Sequence, residues 1–405
     1  MNVPAVGTEA SCPITIPRGR VSVFDLPAGL MDLAEGGGIH RLRYADGHLG
    51  WIVTDFELCR QVLTRPEFSS RPDLRHSAIH EAIGDGQPPE DMPGMFVGMD
   101  PPEHTRYRRI VAAALRLAEV QKLQAMIEVQ AAALLDSRAG ELDLVTSLAS
   151  PLPALVITEL LGVEESVSTS LTGALEQMLS LQSSADTVRE KFAEIFSSLR
   201  DVVARRAQDR GPGLVTSLID AGELTETEIT SVCFQLFTAG HETTTNMIAL
   251  SFLYLLQNPD AAHAISGSPR QVSDAVEEFL RYFAIIQYGI SRAATEHITL
   301  AGTAIAPGET ITVSLPAANF DENRFPDATQ IDLTRGDKGH LAFGFGVHQC
   351  VAQQLARVEI NAALNVFLQR YDEMSLRAYD MKSDTIVHGL SSLSVLRIPN
   401  GGVRQ

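Results

Sequence analysis

Basic residues, cysteine and tryptophan are all scarce in this chain. Against 50 Asp and Glu there are 32 Lys and Arg among 405 residues, a formal net charge of -18. That balance repels phosphate backbones and anionic membrane surfaces, which argues against nucleic acid and membrane as partners. The four cysteines, Cys12, Cys59, Cys233 and Cys350, stand far apart with no CxxC pair. Neither a disulfide framework nor a structural zinc site fits that spacing. No long apolar run opens the chain, because Glu9, Pro13, Pro17, Arg18, Arg20 and Asp25 interrupt it. A signal core or membrane anchor is therefore not expected there, and a cytoplasmic protein is. Fixed repeats, low-complexity tracts and long linkers are missing too, so residues 1–405 read as one domain, expected to act as a monomer. With 45% hydrophobic and 20% charged residues and a mean hydropathy of +0.04, the composition is that of a folded chain with ample core.

What the chain does contain is helical periodicity. The run TETEITSVCFQLFTAGHETTTNMIALSFLYLLQNPD carries a capping box at Thr225 and Glu228 and stops at Asn258-Pro259. Ser268-Pro269 with Gln271 announces a helix through AVEEFLRYF, and another follows Cys350 in VAQQLARVEINAALNVFLQRY. Strands are predicted in Ile39 to Thr54, joined by a turn at Asp46-Gly47, and in a second ribbon from Ile298 to Leu315 with turns at Gly302 and Pro307-Gly308. Two stretches read as mobile: His76 to Met95, rich in Gly and Pro and the better lid candidate, and Arg210 to Gly213.

Against this background one loop stands out, FGFGVHQC from Phe343 to Cys350. Gly344 and Gly346 let the backbone approach something flat and bulky, and Cys350 leads into a helix whose free N–H groups favour a thiolate, a good metal ligand. A buried structural cysteine is the competing reading of such a residue in isolation. Further segments invite similar double readings. AGHETTT (Ala239 to Thr245) is a small-residue helix turn carrying Glu242 beside Thr243, which is either a packing feature or an acid next to a hydroxyl. In EFLR, Glu278 and Arg281 share a helix face. In MDPPEHTRYRR, His104 and Arg108 do the same, and Arg292 is a lone arginine on a strand.

Taken together, these segments resemble the cytochrome P450 family of haem-thiolate monooxygenases, most closely its soluble actinobacterial members that tailor secondary metabolites. The resemblance runs from about the first sixth of the chain almost to its end. It implies a mainly α (α+β) fold, a helical prism with a small β-rich lobe, and haem b between the long central helix and the helix after the cysteine loop. Cys350 would be the axial iron ligand, with Phe343 and Gly344 packed beside it. His104, Arg108, Arg292 and His348 would face the haem propionates. Ala239 and Gly240 would leave room for dioxygen, while Glu242 and Thr243 relay protons. Ala352 stands where the family usually has Gly. Glu278 and Arg281 would be buried and completed by Arg335.

The activity implied is hydroxylation or epoxidation of a hydrophobic, oxygenated small molecule of macrolide, polyketide or terpenoid type, as in antibiotic biosynthesis. O2 and NAD(P)H would be co-substrates, with electrons passed by a ferredoxin and its reductase. Arg106, Arg109 and Arg357 are candidates for a local basic docking patch. A peroxide-driven hydroxylase and a non-catalytic haem-thiolate binding protein are the alternatives, and an intact Glu242-Thr243 pair argues against both. Helical spacing back from Thr243 places Ala239, Leu236 and Gln235 on the pocket side, with Ile285, Ile286 and Tyr288 as further wall residues. The Gln235 amide is left with two uses: a bond to a substrate oxygen, or a bond to a backbone carbonyl of a neighbouring helix.

Overall fold

The computed structural model describes residues 13–36, 38–78, 92–136, 139–180, 182–287, 290–382 and 387–399. Its 32-residue central helix, Glu226–Gln257, begins with reciprocal caps. Glu228 N donates to Thr225 Oγ1 (3.3 Å), and Thr225 N donates to Glu228 Oε2 (2.7 Å). From Ile229 to Leu255 this helix is buried on nearly every side, so packing all round, and not one amphipathic stripe, holds it in place. The helix Gln353–Gln369 lies against it, with Phe252 and Phe367 stacked at 4.3 Å and both fully buried. Each ring contributes about 2–3 kcal/mol by leaving water. Helix Pro269–Phe283 is capped by Ser268, whose Oγ accepts from Gln271 N, and it buries Val272, Val276, Phe279 and Phe283 in the same core.

The strands are β1 (Ile39–Arg43), β2 (Leu49–Val53), β3 (Phe68–Ser69), β4 (Gly140–Asp143), β5 (Ser291–Ala294), β6 (Ile298–Leu300), β7 (Thr303–Ile305), β8 (Thr310–Val313), β9 (Met374–Met381) and β10 (Leu390–Arg397). They form a five-stranded sheet in the order β1-β2-β8-β5-β3, a three-stranded sheet β4-β10-β9 and the pair β6-β7. The hairpin at Asp46-Gly47 forms as predicted, with Gly47 at φ 87. The second ribbon instead divides. β6 and β7 pair through Gly302, whereas β8 leaves after Pro307-Gly308 to lie parallel to β2 and antiparallel to β5. Every residue of β8 is buried, and a strand of that kind needs neighbours on both edges.

Most of the lid candidate, residues 79–91, lies outside the described residues. The Arg210 to Gly213 turn, read as mobile, is tied down. Thr216 Oγ1 donates to Gly211 O (2.6 Å), and Arg206, which donates to Gly162 O (2.8 Å), packs over Gly211. No described helix is long and apolar enough to cross a membrane.

Candidate active site

A cavity of ≈ 370 Å³ opens between the central helix and the cysteine loop, with Ala239, Gly240 and Thr243 on one wall and Phe343, Gly344 and Cys350 on the other. Its shape is set by missing side chains. A Cβ at Gly240 would meet only Ile157 Cδ1 at 3.9 Å, and one at Gly344 would meet nothing within 4 Å. Gly344 and Gly346 both sit at positive φ, 69 and 74, and a Cβ at Gly346 would lie 2.5 Å from Leu63 O. Only glycine makes this bend at no steric cost. It brings Cys350 N back to Phe343 O at 2.8 Å.

Cys350 lies three residues ahead of Gln353, where the following helix starts, and burial pushes its thiol up. The Ala352 N–H and the charges of Arg108 and Arg357 pull the other way. Burial thus opposes the thiolate that the helix start favours, and a metal cation bound at the sulfur would tip that balance toward the thiolate. Arg357 stacks 4.6 Å over the Phe343 ring and thereby holds it beside the sulfur loop.

The cavity's most informative feature is unbalanced charge. Arg75, Arg108 and Arg292, with His104 and His348, all line it, and among the described residues none of them forms an ion pair with a carboxylate. His104 is 1% exposed with neither ring nitrogen partnered, and His348 Nε2 and Arg75 Nε are likewise buried and unpartnered. The two imidazoles lie 4.1 Å apart. Burial lowers Arg75, Arg108 and His104, takes Arg292 down to about 10, and with help from Arg292, His104 and Arg108 takes His348 down to about 3. Asp100 acts on His104 and Arg292 only at a distance and is itself held by Ser69 Oγ (2.5 Å) and Ser70 N (2.7 Å). Glu359, which also lines the cavity, is buried, and desolvation pushes its carboxyl well up, away from the charged form. Buried cations without counter-ions are costly. A ligand bearing two carboxylates supplies what the site lacks, and haem fits that description as well as the open cradle at Gly240 and Gly344. Arg75 was missed from sequence, because a lone arginine ahead of a Gly- and Pro-rich stretch carries no local signal.

On the central helix Thr243 Oγ1 donates to Ala239 O (2.8 Å) while still facing the cavity. The neighbouring Glu242 carboxylate accepts from Lys382 Nζ at 3.2 Å. His241 turns away to Ser150 O (3.1 Å), and burial takes it down to about 4.

Glu278, Arg281 and Arg335 do meet. Arg281 is 0% exposed and forms a fork to Glu278 at 2.7 and 2.8 Å, its remaining N–H groups donating to Asn319 O, Ala328 O and Gln330 O. Arg335 Nε lies 3.2 Å from Glu278 Oε2 as an ion pair without hydrogen-bond alignment, and its Nη1 donates to Pro326 O.

Leu236, Ile285 and Ile286 line the cavity, whereas Tyr288 lies outside the described residues. Gln235 also borders it, but its amide is spent on the protein. Nε2 donates to Gly94 O (2.6 Å) and Ser231 O (3.2 Å), and Oε1 accepts from Val97 N (3.0 Å). Of the two uses open to that amide, the structure fits the second, a bond to backbone, here to the peptide groups of Gly94 and Val97 as well as Ser231. The expected basic patch is corrected. Arg106 pairs with Glu228 (2.6 Å), Arg109 with Glu223 and Arg357 with Glu277 (2.7 Å), so each charge is cancelled locally.

Comparison with known proteins gives the same family. The model described as "Cytochrome P450" matches residues 167–267 and 271–392. Cytochrome P450-SU2 of Streptomyces griseolus is 34% identical over 391 residues, covering 94% of this chain and 96% of its own. The mycinamicin IV hydroxylase/epoxidase of Micromonospora griseorubida is 34% identical over 368 residues, covering 88% and 91%. The crystal structure of CYP105P1 in complex with filipin I superposes with a TM-score of 0.89 at 30% identity, covering 96% of this chain and 99% of that one.

Proposed function

Because the chain belongs to the cytochrome P450 family and so is a haem-thiolate monooxygenase, we propose that Cys350 ligates the iron of haem b and that the cavity between Gly240 and Gly344 holds the porphyrin. One observation carries this reading: the Cys350 thiol faces the same cavity as three arginines and two histidines that, among the described residues, pair with no carboxylate. His104, Arg108, Arg292 and His348, joined by Arg75, neutralise the two propionates. Bound haem supplies oxygen activation, using two electrons and dioxygen to place one oxygen atom in the substrate and the other in water. The chain's part is to hold and move protons at Glu242 and Thr243, to exclude water with its apolar wall, and to orient the substrate.

The substrate class proposed is a hydrophobic small molecule of macrolide, polyketide or terpenoid type. Support comes from the mainly apolar wall of Leu236, Ala239, Ile285 and Ile286 and from the similarity to the mycinamicin IV hydroxylase/epoxidase. Electrons come from NAD(P)H through a ferredoxin and ferredoxin reductase.

The test is the ferrous carbonyl spectrum of the haem-loaded protein. A red-shifted thiolate signature in the wild type that disappears in Cys350→Ser is the expected result. Its survival in Cys350→Ser removes Cys350 as the ligand. A screen of macrolides, polyketides and terpenoids for high-spin shifts then assigns the substrate class, and failure of all three classes against a hit elsewhere rejects that assignment.

A further inference from the structure

The Glu242 carboxylate is held by a group that no motif predicts. Its partner, Lys382, is placed by the end of β9, and of the two side chains the lysine is the more exposed, 21% against 12%. The backbone around it is pinned from several directions. Lys382 N donates to Gly389 O (3.0 Å), His388 N donates to Ile285 O (2.8 Å), and Val387 bridges Ile286. Gly389 rests on the Asn246 amide, which leaves no room for a Cβ there, and Asn246 Nδ2 donates to Glu242 O (2.9 Å). The same corner of chain thus touches the pocket wall at Ile285 and Ile286 and the helix turn that carries Glu242.

We propose that Lys382 is a positioning residue for proton delivery, holding the Glu242 carboxylate at the water-facing edge of the relay. This rests on the reading of Glu242 and Thr243 given above. Glu242 takes a proton from water at the Lys382 edge and releases it to the Thr243 hydroxyl, which passes its own proton onward. Each group ends the cycle as it began, and no proton leaves Lys382. A charge-assisted hydrogen bond suits this task because it fixes direction as well as distance. The seat built by Gly389 and Asn246 fixes the backbone from which the Lys382 side chain reaches Glu242.

The test uses the full haem-loaded chain with a plant-type ferredoxin, its reductase and NADPH. Lys382→Met, Lys382→Arg, Glu242→Gln and the double variant Glu242→Gln/Lys382→Met are compared for rate and solvent deuterium isotope effect. Lys382→Met is expected to slow NADPH oxidation roughly tenfold and to enlarge the isotope effect. Lys382→Arg restores both, and the double variant is no slower than Glu242→Gln alone. Wild-type rate and isotope effect in Lys382→Met, or losses that multiply in the double variant, overturn the proposal. If Glu242→Gln itself behaves as wild type, the relay fails and the lysine's role falls with it. If only Lys382→Met is silent, the relay stands and this proposal alone is lost. A urea-denaturation cycle on the same variants gives a readout without turnover. The two sites should couple, and strict additivity contradicts the pairing.

Discussion

Glu278 and Arg281 are as deeply buried as His104, and more so than Arg292, yet the two groups of charge are built on opposite principles. Around Arg281 every N–H has an acceptor, and Glu278 is met by Arg281, by Arg335 and by Asp332 N. The cluster closes on itself and specifies where the segment 319–335 must lie. Around Arg292 there is no such closure: three arginines and two histidines converge, and among the described residues no carboxylate pairs with any of them. A self-satisfied cluster is a structural device, whereas one left open in a cavity is half of a binding site. Residue type and burial do not separate the two cases. Whether the partners are internal does.

That contrast makes deletions diverge. The largest effect is expected at Glu278→Ala, which strands the fully buried Arg281 and costs about 3–5 kcal/mol. Urea unfolding checks it, and a cost below the surface ion-pair range would make the cluster no different from an exposed pair. Arg292→Leu should act the other way on the unloaded chain, leaving its stability unchanged or slightly raised, while haem is lost about 100-fold more readily, the loss of one buried charge pair. Haem transfer to a scavenger protein measures this. Equal retention would mean that Arg292 faces no propionate.

How much of this was legible beforehand follows the range of the interactions. Glu278 and Arg281 lie one helical turn apart, and Cys350 sits in a tight loop with its glycines, so local spacing already encodes their geometry. Arg75 and Lys382 carry no such mark, because what gives them meaning is 216 and 140 residues away, at Ser291 and Glu242. The misreading of Arg106, Arg109 and Arg357 has the same cause. Their acids, Glu228, Glu223 and Glu277, come from other elements, so a cluster of cations in sequence became separate neutral pairs in space. For β9 and β10, whose hairpin was not anticipated, alternation is blurred by an exposed outer strand and register shifts at Leu390/Ser392 and Ser394/Val395.

Smaller effects sharpen the comparison further. His241 and His388 are buried neutral, lowered chiefly by burial to about 4 and about 3. The unfolded chain protonates them near 6.5, so it binds more protons than the folded chain below that pH, and stability is lost as pH falls from about 6.5 toward 4. Each should cost roughly 2 kcal/mol at pH 5. Urea midpoints at pH 7 and pH 5 test the sign, and the difference should shrink in His388→Gln. The smallest effect belongs to Gln235→Leu, which removes the amide bonds to Gly94 and Val97 and should cost about 1 kcal/mol of stability. Regiochemistry should not change. A changed product pattern would return Gln235 to the substrate pocket.

The claim on which the rest depends is that the open cluster at His104, Arg108, Arg292, His348 and Arg75 exists to receive two carboxylates. Protein prepared without haem can be titrated in parallel with haem and with its dimethyl ester, which keeps the iron and the porphyrin but has no carboxylate. The ester should bind at least about 100-fold more weakly, the loss expected when buried charge pairs go unmade. Equal affinity for the two would contradict the account directly, since it would leave those three arginines and two histidines with no role in holding the propionates.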